Sequence, residues 1–76
     1  MGYGYSQGLV QANKEASARS LGVALGRFCI RNRISALQIS RHFGVSRMTV
    51  YNWFKGNTNP QKELTEPIQR YMKSFK

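Results

Sequence analysis

Gly44 divides two short helical patterns, each opened by a serine, and this punctuation constrains the chain more than any other feature. Ser35 is placed as the N-cap of a helix from about Ala36 to Phe43, because a serine hydroxyl can accept an amide proton of the first turn. Within that helix Ile39 and Phe43 stand four apart and face inward, and Leu37 is expected to join them. Gly44 then breaks the pattern, since glycine takes a positive φ without steric cost and turns the chain sharply. Ser46 is the natural cap of the next helix, over 46–55, and Gly56 closes it. Two short helices joined by so tight a turn set the frame of an all-α fold.

The second of these helices sorts onto two opposed faces at a period of 3.6 residues. Val50, Trp53 and Phe54, after Val45 in the turn, make the inward face, while Arg47, Met48, Tyr51, Asn52 and Lys55 make the other. Arginine can pair with guanine O6 and N7 through two hydrogen bonds, and asparagine can do the same with adenine. Met48 or Tyr51 can press on a thymine methyl group. Each side chain alone would pass for ordinary exposed helix; the charge around them favours contact. Between Glu15 and Glu63 no acidic residue occurs, while Arg19, Arg27, Arg31, Arg33, Arg41, Arg47, Lys55 and Lys62 do. The chain has 12 Lys+Arg against 3 Asp+Glu, none of them Asp, for a formal net charge of +9. Solvated surfaces usually mix both signs, so this imbalance points to a polyanionic partner.

The stretch Ser35-Ala-Leu-Gln-Ile-Ser-Arg-His-Phe-Gly-Val-Ser-Arg-Met-Thr-Val-Tyr-Asn-Trp-Phe-Lys-Gly56 resembles the helix-turn-helix of the lambda repressor/Cro-like (XRE-type) superfamily. The matching positions are Ile39, Ser40, Phe43, Gly44, Val45, Val50 and Trp53. Ser40 is small where the two helices cross, Gly44 makes the turn, and Val50 and Trp53 anchor the second helix to the first. The family usually has alanine in place of Ser40 and often glutamine in place of Ala36. The motif covers about a third of the chain, and the flanking helices extend the similarity over residues 17–75. The resemblance implies a compact domain of four helices (three to five) that binds double-stranded DNA with the 46–55 helix in the major groove. Base contacts are then expected from Arg47, Met48, Tyr51 and Asn52. Sugar–phosphate contacts are expected from Gln38, Arg41, Ser46, Thr49, Lys55, Asn57, Thr58 and Lys62, Ser46 and Thr49 being aided by the helix N-terminus. Such proteins commonly bind as dimers to half-sites about one helical turn apart, which implies a transcriptional regulator, a repressor of the small phage-encoded type, in the cytoplasm of a bacterial cell or infected host.

The residue inventory argues against catalysis. Paired carboxylates, a carboxylate-held Mg²⁺ and a Ser–His–Asp arrangement all need acids that this chain lacks. Cys29 and His42 are the only residues of their kinds, and one of each closes no tetrahedral metal site. No metal, cofactor or small-molecule substrate is expected. Cys29 lies in an apolar run and reads as a small buried hydrophobe; His42 reads as a surface or packing residue. No segment reaches the roughly 20 apolar residues of a membrane span, and the N-terminus lacks the pattern of a secretory signal.

Seventy-six residues make one domain with a modest core, which a second subunit can reinforce. Residues 1–16, with Gly2, Gly4 and Gly8, read as a flexible N-terminal arm that at most ends in a turn of helix near Asn13; Tyr3 and Tyr5 are candidates for stacking on bases or on a protein. The domain proper is expected over 17–76. From Ser17 a helix places Leu21, Ala24, Leu25 and Phe28 on one stripe, and Gly22 and Gly26, four apart, allow close approach of a neighbour. Arg27, Arg31 and Arg33 near its end suit the helix dipole and phosphate contact equally. After the loop Asn57-Thr58-Asn59-Pro60, a last helix over about 66–75 takes Thr65 as N-cap and Pro67 in its first turn. Ile68 and Tyr71 are expected to complete the core, while Met72 and Phe75 are candidates for a homodimer contact. Two other function classes fit the same residues: an architectural or packaging protein that binds DNA without sequence preference, and a protein-interaction module that contacts RNA polymerase or another host protein.

Overall fold

Four serines set the helix starts. In the computed structural model, which describes residues 5–17 and 19–74, the hydroxyls of Ser6, Ser20, Ser35 and Ser46 accept the amide protons of Leu9, Val23, Gln38 and Thr49 respectively. They open helices α1 (Gln7–Glu15), α2 (Leu21–Asn32), α3 (Ala36–Phe43) and α4 (Arg47–Lys55). At α3 the Gln38 side chain also accepts from the Ser35 amide, which completes a reciprocal capping box. A 3-10 turn, Lys62–Leu64, leads into α5 (Thr65–Ser74). All regular structure among the described residues is helical.

The helix ends are equally local in origin. Gly44 ends α3 at φ 70° and Gly56 ends α4 at φ 82°. Arg33 ends α2 in the same left-handed region, at φ 60°, where a non-glycine residue is uncommon. The cost there is offset by the Ile34 amide, which donates to the Cys29 carbonyl at 2.9 Å.

The helices close around Val23, Leu25, Cys29, Ile39, Val50, Phe54 and Ile68, all fully buried. The α2–α4 contact is the tightest seam. A Cβ added at Gly22 would sit 2.7 Å from Trp53 Cβ, and one at Gly26 would sit 2.8 Å from Phe54 Cγ. The two glycines therefore lie on the inward face of α2, with Leu25 and Cys29, as their spacing suggested. That rotates the buried face from the expected stripe: Leu25 is fully enclosed, while Leu21, Ala24 and Phe28 are only half-buried. Helix α2 also starts at Leu21, later than the expected Ser17, because Ser20 is the residue that caps it.

Within 5–16 the structure differs most from expectation. Helix α1 occupies Gln7–Glu15 in place of a flexible arm, with Leu9 and Asn13 buried. Tyr5 is 5 % exposed, donates its hydroxyl to the Ile34 carbonyl at 2.6 Å and packs on the Phe54 ring. It is a core residue and offers no surface for stacking on a base. Gly2, Tyr3 and Gly4 lie outside the described residues. Polar anchoring explains the difference: Asn13 Nδ2 donates to the carbonyls of Phe54 and Val23, and hydrophobic periodicity registers an asparagine as solvent-facing.

At the other end of the chain, Ile68 is fully buried and Tyr71 packs its ring against Phe28, Phe43 and His42. Both complete the core as expected. No helix among the described residues is long and apolar enough to cross a membrane.

Candidate nucleic-acid interface

Helix α4 presents the outward face that its sequence pattern defined. Val50, Trp53 and Phe54 are buried, and Val45 is half-buried ahead of them. Opposite, Met48 is 65 % exposed and Arg47 is exposed, whereas Asn52, Tyr51 and Lys55 are half-buried at the flanks. Met48 is the most exposed large hydrophobe among the described residues. Leu37 is the other exposed large hydrophobe among the described residues, at 39 %, and does not join the core with Ile39. On α3, Ser40 is buried and its hydroxyl donates to the Leu37 carbonyl. Its carbonyl accepts from Val45 across the Gly44 turn at 2.9 Å.

Several candidate contact residues hold one another in place. The Ser46 and Thr49 hydroxyls are 2.9 Å apart at the start of α4. Asn57 donates its backbone amide to the Asn52 carbonyl at 2.9 Å and its side-chain nitrogen to Asn52 Oδ1 at 3.5 Å, and the Thr58 amide also turns back to the Asn52 carbonyl. Asn52 therefore starts with its Oδ1 engaged and its amide nitrogen available to an acceptor. Gln38 spends Oε1 in the α3 cap, leaving its own amide nitrogen as the atom to offer. Arg41, one turn on, is exposed on α3. Lys62 is exposed but belongs to the 3-10 turn before α5, separate from the α4 face.

Arg27 and the first turn of α1 take parts that differ from their sequence-based assignment. Arg27 Nη2 donates to the carbonyls of Asn13, Lys14 and Ala16, so its guanidinium closes the C-terminal end of α1. That use fits a cation at a helix C-terminus, though the helix is α1 and not its own; Arg31 and Arg33 remain exposed. Along the flank of α4, the first turn of α1 forms a wall facing Met48, Tyr51 and Lys55. The spacing of Tyr5, Leu9 and Asn13, at i, i+4 and i+8 around a capping Ser6, is the sequence signal for this second wall.

Electrostatics set the face apart from the interior. Burial pushes the Cys29 thiol up to about 12 from its usual 9.0, so it stays a neutral, unreactive core group. Burial, followed by the charges that Cys29, Tyr51 and Tyr71 would carry, also raises the Tyr5 phenol. The His42 ring rests against Phe43 and Tyr71 at centroid distances of 4.7 and 4.8 Å, a packing position at the end of α3. Met72 is half-buried against the core beside exposed Gln69 and Lys73; Phe75, the other dimer candidate, lies outside the described residues. Compared with known proteins, the chain matches no family model, no curated sequence and no solved structure.

Proposed function

We propose that this chain binds double-stranded DNA sequence-specifically, with α3, Gly44 and α4 acting as a lambda repressor/Cro-like helix-turn-helix and α4 entering the major groove. One observation carries the reading. Helix α4 holds exposed Arg47 and Met48 and half-exposed Asn52 on a face whose opposite side is locked by buried Val50, Trp53 and Phe54, in a chain of net charge +9. A recognition element needs this combination of rigid seating and free donors.

On this reading Arg47 and Asn52 read base edges, and Met48 contacts a thymine methyl, which accounts for its exposure. Tyr51, half-buried like Asn52, is the fourth candidate for a base contact and stands at the flank of α4. Lys55, Asn57 and Thr58 meet the sugar–phosphate backbone beside the C-terminal end of α4, with Ser46 and Thr49 at its start. Gln38 and Arg41 from α3 do the same on the neighbouring strand, and Lys62 adds a more distant cation. These contacts release counterions and make affinity fall steeply with salt. The chain works as a transcriptional regulator by occupying promoter DNA, without enzymatic activity or cofactor, and as a homodimer where two half-sites are paired.

Selection from random duplex DNA, followed by binding at two salt concentrations, tests the reading. A defined site that Arg47→Ala or Asn52→Ala relaxes is the expected result. Steep salt dependence with no enriched sequence would leave a packaging protein instead; the absence of DNA affinity would leave a protein-interaction module.

A further inference from the structure

A groove of about 590 Å³ runs between the first turn of α1 and the flank of α4, with Ser6, Gly8 and Leu9 on one wall and Met48, Tyr51 and Lys55 on the other. The α1 wall is fixed. Asn13 ties it to the Phe54 and Val23 carbonyls, and Tyr5 ties the residue before its cap to the Ile34 carbonyl. The groove also runs directly into the α4 face, with which it shares Met48, Tyr51 and Lys55.

An α-helix with its side chains is roughly 10–12 Å across, and the major groove is about 12 Å wide. A duplex that accepts α4 therefore has no room for a second helix beside it. Resting on the reading of α4 as the groove-filling helix, we infer that the α1–α4 groove seats the sugar–phosphate backbone of one strand of the same duplex, so that α1 is a second DNA-binding wall. Lys55 meets the phosphate, while Tyr51 borders the deoxyribose faces and Leu9 lines the groove. Neither wall carries a carboxylate: the three acidic residues are Glu15, Glu63 and Glu66, and the first turn of α1 holds none. The strand is thus cradled between two rigid helices, which fixes how far along the groove α4 can slide.

Gly8 allows a direct test, because a Cβ added there has only Ser6 Oγ within 4 Å, at 3.9 Å. Gly8→Glu puts a carboxylate on the groove wall, and in the first turn of a helix it favours folding. Gly8→Gln carries the same bulk without charge, and Lys73→Gln, exposed on α5, makes the same change in net charge elsewhere. With the selected duplex as probe, Gly8→Glu is expected to lose about ten-fold or more in affinity and to flatten the plot of log affinity against log salt by about one contact. Its melting temperature should be unchanged or higher, and Gly8→Gln and Lys73→Gln should stay within about two-fold of the parent. Equal binding by Gly8→Glu and Lys73→Gln, with Arg47→Ala still relaxing sequence preference, overturns the inference and leaves α4 as the sole wall. If Arg47→Ala also has no effect, the DNA reading falls and the inference falls with it. Preferential binding of an acidic peptide in the groove, unaltered by competing duplex, overturns it as well.

Discussion

Asn13 reaches from α1 to Phe54 on α4, donating Nδ2 to its carbonyl oxygen at 2.7 Å, and the same nitrogen meets the Val23 carbonyl at 3.2 Å. Both hydrogen bonds are buried, and Asn13 is only 2 % exposed. One amide therefore holds three helices together at a point that water does not reach. Replacing it with alanine leaves two buried acceptors without this donor. Asn13→Ala is expected to lose about 1–3 kcal/mol in urea denaturation; a loss below about 0.5 kcal/mol would show that α1 is not anchored through this residue.

Glycine substitutions should split by location. Gly26→Ala gains about 1 kcal/mol of helix propensity but places a methyl group 2.5 Å from Asn13 Nδ2 and 2.8 Å from Phe54 Cγ. Overpacking costs roughly 1–3 kcal/mol, so thermal melting of Gly26→Ala should fall, and that of Gly22→Ala, against Trp53, should fall too. Gly8→Ala has open space and should melt slightly higher. The same sign at all three positions would contradict the seam.

Stability should decline at alkaline pH. The unfolded chain releases the Cys29 proton near its usual value of 9.0, whereas the folded chain holds it to about 12. Above the first value the unfolded state binds fewer protons, so the stability is fully present below about pH 9 and drains away towards pH 12. The slope reaches about 1.4 kcal/mol per pH unit for one group. Tyr5, raised in the same direction, adds to the fall from about pH 10. Urea midpoints measured from pH 7 to 11 should stay level and then drop, and Cys29→Ala should remove the part that starts near pH 9. A level curve in the parent would show that the thiol is not enclosed.

Contacts to bases and to phosphates should separate in binding data. Arg47→Ala and Asn52→Ala each should cost about 1–3 kcal/mol on the selected site and little on scrambled duplex. Lys55→Ala should weaken both sequences alike and reduce the salt slope by about 1. A Lys55→Ala variant that discriminates between sequences less well than the parent would move that lysine from the backbone to the base contacts.

The chain from Ser35 to Gly56 is legible in its boundaries, and in its faces apart from exposed Leu37, because its elements are bounded by side chains that act on their own backbone. Ser35 and Ser46 cap, Gly44 and Gly56 turn, and the alternation of faces on α4 follows from their spacing. Helix α1 is not legible in the same way. Only Leu9 is a buried aliphatic residue within it, and its hold on the domain comes from a polar side chain and from a tyrosine outside the helix. The face of α2 escapes the apolar pattern for a related reason: Gly22 and Gly26 are buried by what approaches them, and a residue without a side chain contributes nothing to a hydrophobic stripe. Arg27, placed by sequence beside its own helix end, spans to α1 because the fold brings a second row of carbonyls closer.

The Asn13–Phe54 tie spans 41 positions, and that separation orders events during synthesis. Helix α1 is made before α4, but its nine residues form only a marginal helix alone, and its partners on α4 are joined later. Helix α1 therefore docks only once Phe54 has been added, and the core is complete only after Ile68 follows. A segment that stops short of Phe54 has no complete core. The hold on α1 is thus a contact that only later synthesis can complete, and until then Asn13 has no carbonyl of α4 to meet.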